Sequence, residues 1–371
     1  MPNPFYIKQI NLDAPFCNRV KEMDELTAFA ESRNNVVLHS PRRFGKTSLA
    51  HRVQKRLADR GAVTIFADFF GVGSVDEVAE RMAEAVFIVT RDNEPIWKAA
   101  MRFITSFRPV LRPNEDGGLE LTVEHAGGRR GLPLLKDTLE SLGKFIHNAH
   151  CLVHVVLDEF QEIVTLPDYH KIEAVMRTEI QKHEASYFFI GSRRRVLNAI
   201  FNERERPFFR SAFDYQLKPL PEEDLSIFIA SQFAANGKTC GSAEASSMVR
   251  LVNCYPYYAQ KLAHFVYERS GVVVAPDDVK MGFNDLLSTE KSVFEAIVQG
   301  IPSQQRLFLR ALATEPTAHP FSKNYARQHN IGSLSALQNA VKQLEQLDLI
   351  EKDENEVWRL VDPVFRMWLL R

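Results

Sequence analysis

The chain has 371 residues, enough for two or three domains, each with its own core. With 45% apolar, 25% charged and 10% aromatic residues and a net charge of -1, it reads as an ordinary globular protein. That balance excludes a chain whose whole surface clamps nucleic acid, though not one with a local basic patch.

Residues 1–16 lack a basic segment followed by an apolar core, so no secretion signal is expected. No run approaches the ~20 apolar residues of a membrane span. Cys17, Cys151, Cys240 and Cys254 form no C-x-x-C pair, and no histidine cluster has zinc-ligand spacing. A cytoplasmic, reducing location with no membrane partner is the expectation. The 26 phenylalanines read as large packed cores rather than as an aromatic binding platform.

In chain order, Met23, Leu26, Ala28, Phe29 and Ala30 suit a helix over 22–32. Val36-Val37-Leu38-His39 is a short buried strand. The loop 40–45 leads into a helix over 46–60, with Leu49, Val53 and Leu57 on one face and Gly61 as its stop. A second strand follows at 63–70. Strand, loop, helix, strand is a βαβ unit, hence a parallel sheet in an α/β domain.

Residues 75–108 read as helical. Prolines, a polar turn at 114–118 and the alternating Leu119, Leu121 and Val123 predict an inserted β-hairpin over about 109–131. Helix returns at 133–148, then an apolar strand at 151–157, a helix at 172–183 and a strand at 187–190. Tyr215-Gln216-Leu217 closes the series as a short strand. The pattern then turns helical until about 288. From about 300, helices at 303–314, 321–329 and 333–347 precede two strands around a polar turn, which reads as a winged helix. Ser333 is the expected N-cap of the third helix.

The chemistry begins at Ser40-Pro41-Arg42-Arg43-Phe44-Gly45-Lys46-Thr47, which matches G-x-x-x-x-G-K-[ST] except at its first position. In such a loop the backbone amides of Arg42, Arg43, Phe44, Gly45, Lys46, Thr47 and Ser48 surround phosphate at the positive end of the following helix. Lys46 reaches the β- and γ-phosphates, and the Thr47 hydroxyl is placed for Mg²⁺. The plainer reading is a chance G-K-T before a helix.

A second motif supports the first. The apolar strand Cys151-Leu152-Val153-His154-Val155-Val156-Leu157 ends in Asp158-Glu159, the Walker B pattern. Asp158 would hold Mg²⁺, and Glu159 would orient and deprotonate the attacking water. The plainer reading is helix-end charge, since acids favour that position anyway. Gln161 and Glu162 read as ordinary loop or helix residues.

Ser192, just past the strand at 187–190, is placed either to sense the γ-phosphate or merely to end the strand. Arg193, Arg194 and Arg195 read as a solvated helix start. In Arg206-Pro207-Phe208-Phe209-Arg210, Arg210 is the first candidate and Arg206 the second for an arginine finger toward a neighbouring subunit. A surface ion pair is the alternative for both.

These motifs carry a resemblance that covers nearly the whole chain. Phe16-Cys17-Asn18-Arg19-Val20-Lys21-Glu22-Met23-Asp24-Glu25-Leu26 is similar to the F-x-G-R-x-x-E-x-x-x-L opening of archaeal-type AAA+/STAND P-loop ATPases. Ser40 through Leu49 resembles their G-P-R-R-x-G-K-T-S-L loop, and Asp158-Glu159-Phe160-Gln161 their D-E-[FA]-Q. Asn253-Cys254-Tyr255-Pro256-Tyr257-Tyr258 resembles the G-x-P-x-Y of their lid, and Asp362-Pro363-Val364-Phe365-Arg366-Met367-Trp368-Leu369 their D-P-[LV]-F-R-x-W-L ending. Asn18, Ser40 and the pair Asn253-Cys254 stand where the family carries glycine.

The resemblance implies an α/β P-loop NTPase (ASCE/AAA+) core at 1–220, a helical lid at 221–299 and a winged helix at 300–371. It implies ATP or ADP with Mg²⁺ at the core–lid junction, adenine near Phe16 and Arg19, and Pro256 touching the nucleotide from the lid. Pro256 as a plain helix breaker is the alternative. The winged helix offers Gln338, Asn339, Lys342 and Gln343 to DNA, but its wing, Asp353-Glu354-Asn355-Glu356, is acidic and would repel phosphate.

Three functions remain open at this point. The first is a slow ATPase acting as a conformational switch on a protein client, with nucleotide-dependent oligomers. The second is an ATP-controlled DNA-binding protein resembling origin-binding initiators. The third is a non-hydrolysing, ADP-bound adaptor.

Overall fold

The computed structural model describes residues 3–5, 15–91, 94–113, 118–353 and 355–371. The chain divides into two compact units, one of Arg19–Lys218 and one of Pro219–Arg371 together with Met1–Asn18.

In the first unit, α1 (Val20–Glu31) precedes β1 (Val36–His39), α2 (Lys46–Ala58) and β2 (Val63–Asp68). Next come α3 (Val75–Thr90), α4 (Glu94–Phe103), β3 (Phe107–Pro113), β4 (Leu119–His125) and α5 (Leu132–Asn148). β5 (Val153–Asp158), a 3-10 turn at Phe160–Thr165, α6 (Tyr169–Ile180), β6 (Ser186–Gly191), α7 (Arg194–Asn202) and β7 (Phe213–Gln216) complete it. The expected helix over 75–108 is therefore two helices and the start of a strand. The 114–117 turn of the expected hairpin lies outside the described residues.

The main sheet has five strands in the order β2-β5-β6-β1-β7, and every pairing in it is parallel. β1, β5 and β6 are buried on both faces, which is why they read as unbroken apolar runs rather than alternating ones. β6 lies between the strand that feeds the 40–45 loop and the strand that ends in Asp158. The carboxyl ends of all three therefore converge on one edge, the usual ligand edge of an open α/β sheet.

Below that edge lies a phenylalanine cluster. Phe160 is fully buried, with ring centroids 4.8 Å from Phe189, 5.9 Å from Phe201 and 5.5 Å from Phe208. It anchors the turn that carries Glu159. In β5 the polar His154 is paired to Ser186 Oγ at 2.6 Å, and burial pushes its imidazole down to about 3, so it stays neutral.

The second unit contains α8 (Glu222–Ala235), α9 (Ser242–Leu251), α10 (Pro256–Arg269) and α11 (Pro276–Gln299). α12 (Ser303–Thr314), α13 (Lys323–Gln328), α14 (Leu334–Gln346), β8 (Ile350–Lys352), β9 (Trp358–Leu360) and α15 (Pro363–Leu369) follow. Ser333 caps α14 as expected, accepting from the Ala336 amide. Gly282 lets α11 approach α10 closely: a Cβ there would lie 2.8 Å from Val266 Cγ2. Phe5 packs in this unit, its ring centroid 5.1 Å from Phe233 and 6.3 Å from Tyr267. Among the described residues no helix is long and apolar enough to cross a membrane.

Candidate functional site

The site is built at the carboxyl ends of β1, β5 and β6. Gly45 has φ +87°, a left-handed conformation that costs glycine nothing and other residues about 1 kcal/mol or more. It ends the loop and aims the first turn of α2. Lys46 is buried, and its Nζ donates to the carbonyls of Ser40 and Pro41, both at 2.9 Å. The ammonium thus spans the loop it belongs to. Ser40, in the place of the first glycine, is buried and its φ is not positive, so the substitution carries no backbone strain.

Thr47 Oγ1 donates to Asp158 Oδ2 at 2.7 Å, joining residues 111 positions apart. The Glu159 amide donates to Asp158 Oδ1 at 2.9 Å. Burial pushes the Asp158 carboxyl up to about 6 against those two hydrogen bonds, and the nearby Glu159 and Asp68 carboxylates push the same way. Asp68, at the end of β2, is in register with Asp158. It was not singled out from the sequence, because nothing there tells which strand is β5's neighbour.

Glu159 has φ +48°. Its Oε2 accepts from Ser192 Oγ at 3.3 Å and from Gln161 Nε2. Ser192 is thus brought to Glu159. Gln161, read from sequence as an ordinary loop residue, is buried and on the same oxygen. Its sequence signal is that it stands at the glutamine of the D-E-[FA]-Q resemblance, two residues after Glu159.

Of the arginines, Arg206 is inside: its guanidinium pairs with the fully buried Glu173 and lies 5.0 Å over the Tyr169 ring. Arg210 is exposed, at φ +53°, over Phe209. Arg42 and Arg43 are exposed at the loop tip, Phe44 is buried and Ser48 is half-buried in α2. Arg19 is buried and pairs with Glu22 at 2.6 Å, while its Nη2 is a buried donor without a protein acceptor.

In the second unit, Phe16 is half-buried and Pro256 is buried at the first turn of α10, where its missing amide is not needed. Asn18, Asn253 and Cys254 all have positive φ, at 40°, 52° and 54°. Two of the three departures from glycine therefore occupy left-handed positions, which explains why glycine suits them.

These residues fit a nucleotide phosphate and a magnesium ion. Loop amides at the start of a 13-residue helix, with a lysine ammonium beside them, are anion donors. The Thr47 hydroxyl and Asp158 carboxylate, already in contact, are the hard oxygens that magnesium prefers.

Strand order, loop and strand-end acids together define a P-loop fold of the AAA+ type, followed by a C-terminal winged helix. The winged-helix assignment is supported by a family model described as "Probable winged helix domain", which matches residues 292–371. The chain is similar to the Walker-type ATPase of Pyrococcus abyssi, at 15% identity and TM-score 0.71, over 99% of this chain and 100% of that one. It is similar to the Aeropyrum pernix ORC2 protein in its ADP form, at 12% identity and TM-score 0.59, over 98% of each chain. It is also similar to the Aeropyrum pernix ORC1 protein in complex with DNA, at 14% identity and TM-score 0.54, over 99% of this chain and 96% of that one. At such identities the likeness is one of fold. No curated protein sequence matches the chain significantly.

Proposed function

We propose that the protein binds ATP and hydrolyses it slowly, and that nucleotide occupancy of the 19–218 unit is read out by the helical and winged-helix unit, as in a molecular switch. The observation that carries this reading is the 2.7 Å contact between Thr47 and Asp158, with Lys46 beside one partner and Glu159 beside the other.

Lys46 and the loop amides hold the phosphates. Thr47 and Asp158 hold Mg²⁺, which when bound neutralises charge on the phosphate oxygens. Glu159 takes a proton from the attacking water, and Ser192 fixes the direction of its carboxylate. Arg19 offers its unpaired Nη2 to the nucleoside. Arg210, exposed at the surface, is the arginine offered to a neighbouring copy in a nucleotide-dependent oligomer. The division into core (1–220), lid (221–299) and winged helix (300–371), and a protein client for the last, belong to the same proposal.

The test is ATP binding and turnover by the purified chain. Lys46→Ala should weaken ATP binding by about 100-fold, the loss of a charge-assisted donor. Glu159→Gln should retain ATP and lower turnover by roughly 10²- to 10⁴-fold. Unchanged turnover in both variants discards the proposal.

An ATP-controlled DNA-binding role is the second reading. It is favoured by α14, which exposes Gln338, Asn339 and Lys342 on one face, as a recognition helix would. Gln343 is exposed as well, its Oε1 accepting from Gln305 Nε2. Duplex affinity that does not fall with added salt counts against it.

A further inference from the structure

Gln161 is nearly inaccessible, at 1% exposure, yet it is a poor core residue. A buried primary amide has two donor hydrogens and an acceptor oxygen, and leaving any unpaired costs stability. Here Nε2 donates to Glu159 Oε2, while Oε1 is buried without a partner. A glutamine serving the fold alone would satisfy its acceptor. This one leaves it unmet and directs its donor to the carboxylate that sits over the site.

The opposite wall is shaped for it. Gly191 ends β6 immediately before Ser192, and its φ is not in the left-handed region, so conformational freedom does not explain a glycine there. Space does: a Cβ on Gly191 would lie 1.8 Å from Gln161 Oε1 and 2.9 Å from its Cδ. The glutamine amide therefore lies across the bare backbone of Gly191. Glu159 Oε2 receives two donors from two directions, Gln161 from its own turn and Ser192 from the end of β6. Two donors on one carboxylate oxygen fix the plane of the group and leave the other oxygen to meet a water.

Resting on the reading of Glu159 as the proton acceptor for water, we infer that Gln161 is a positioning residue for that carboxylate, and that Gly191 is the space that admits it. Gln161 acts through Glu159 and touches no reacting atom.

The experiment measures steady-state turnover of Mg·ATP by the full chain for Gln161→Leu, Gly191→Ala, Glu159→Gln and the double variant Glu159→Gln/Gln161→Leu. Misdirecting the base by about 1 Å should lower kcat by roughly 10²-fold. KM and ATP affinity should stay within about two-fold, since phosphate binding is untouched. Gly191→Ala should act in the same direction, because the added methyl displaces the flexible end of the amide and no backbone. If Gln161→Leu does not fold, Gly191→Ala decides. The double variant should be no slower than Glu159→Gln alone, because a positioning residue has nothing left to position. A kcat unchanged in Gln161→Leu and Gly191→Ala, with turnover silenced in Glu159→Gln, overturns this inference and leaves the proposed function standing. Turnover that survives Glu159→Gln overturns the reading beneath it.

Discussion

Asp158→Asn should make the protein more stable while depriving it of magnesium. The folded state holds the Asp158 carboxyl at about 6, against an ordinary value of 3.8, chiefly because burial penalises the charge. A group whose folded value is raised favours folding when protonated, and that advantage is lost as pH rises through the folded value. At pH 7.5 the buried charge therefore costs about 3 kcal/mol relative to the neutral acid, from roughly two pH units at 1.36 kcal/mol each. Asparagine mimics the neutral acid. Its oxygen can take the Glu159 amide and its NH₂ can donate to Thr47, whose hydroxyl rotates to accept. For a unit of this size a gain of that order raises Tm by roughly 6–12 °C. The assay is thermal unfolding in EDTA without nucleotide, from pH 4 to pH 8. The gain should be full above pH 6, shrink between pH 6 and pH 4 and vanish below pH 4, where both residues are neutral in both states. Mg·ATP should stabilise the parent and not the variant. A variant less stable than its parent at pH 7.5, or a gain that ignores pH, refutes the reasoning.

The two candidate arginines should separate by what they break. Arg206→Ala strands the fully buried Glu173 and should cost about 3–5 kcal/mol of stability, read by denaturant unfolding. Arg210→Ala, exposed over Phe209, should leave stability within about 0.5 kcal/mol. If it serves a neighbouring copy, it should lower turnover only at concentrations where the chain associates, as read by light scattering beside the rate. Tyr258→Phe removes a donor from Asp362, whose carboxyl burial already pushes up. It should cost about 1–3 kcal/mol, more at pH 8 than at pH 4, because the stranded partner is more fully charged at the higher pH.

The phosphate loop and Asp158-Glu159 were legible because each is a short-range device: residue types at fixed spacing beside a strand of the right length. What joins them was not. That β6 enters between β1 and β5, bringing Ser192 to Glu159, depends on strand order, and parallel strands carry no mark of their neighbours. The same holds for Asp68. Arg206 and Arg210 are alike in sequence, four residues apart in one loop. Only Glu173, buried on α6, tells them apart. Gln161 stands at the glutamine of the D-E-[FA]-Q resemblance, but the motif does not say what its amide touches. Its role is visible only with Gly191 and Glu159 around it. Asn18, Asn253 and Cys254 are left-handed while Ser40, which also stands for a glycine, is not, so the glycine pattern alone does not tell which positions need that conformation.

The helical region and the winged helix are continuous in a way their composition hides. α11 is 24 residues long, about 36 Å at 1.5 Å per residue, and no proline or glycine breaks it after its first turns except Gly282, which serves its contact with α10. It is fixed to α10 early by the close approach of Gly282 to Val266 and, past its midpoint, by the buried Lys261–Glu290 pair. Its later part carries Phe294, 5.0 Å from Phe365 and 5.8 Å from Trp368 of α15. Asp362 then closes the connection, capping α15 through the amides of Val364 and Phe365 while accepting from Tyr258 of α10. The family model's match likewise begins at residue 292, inside α11. Two groups joined by one rigid helix, an aromatic cluster and a buried polar latch do not move separately at low cost. In the proposed switch, a nucleotide-driven shift felt by α10 would therefore reach the winged helix without a hinge between them, and weakening the Tyr258–Asp362 latch should uncouple the two before it unfolds either.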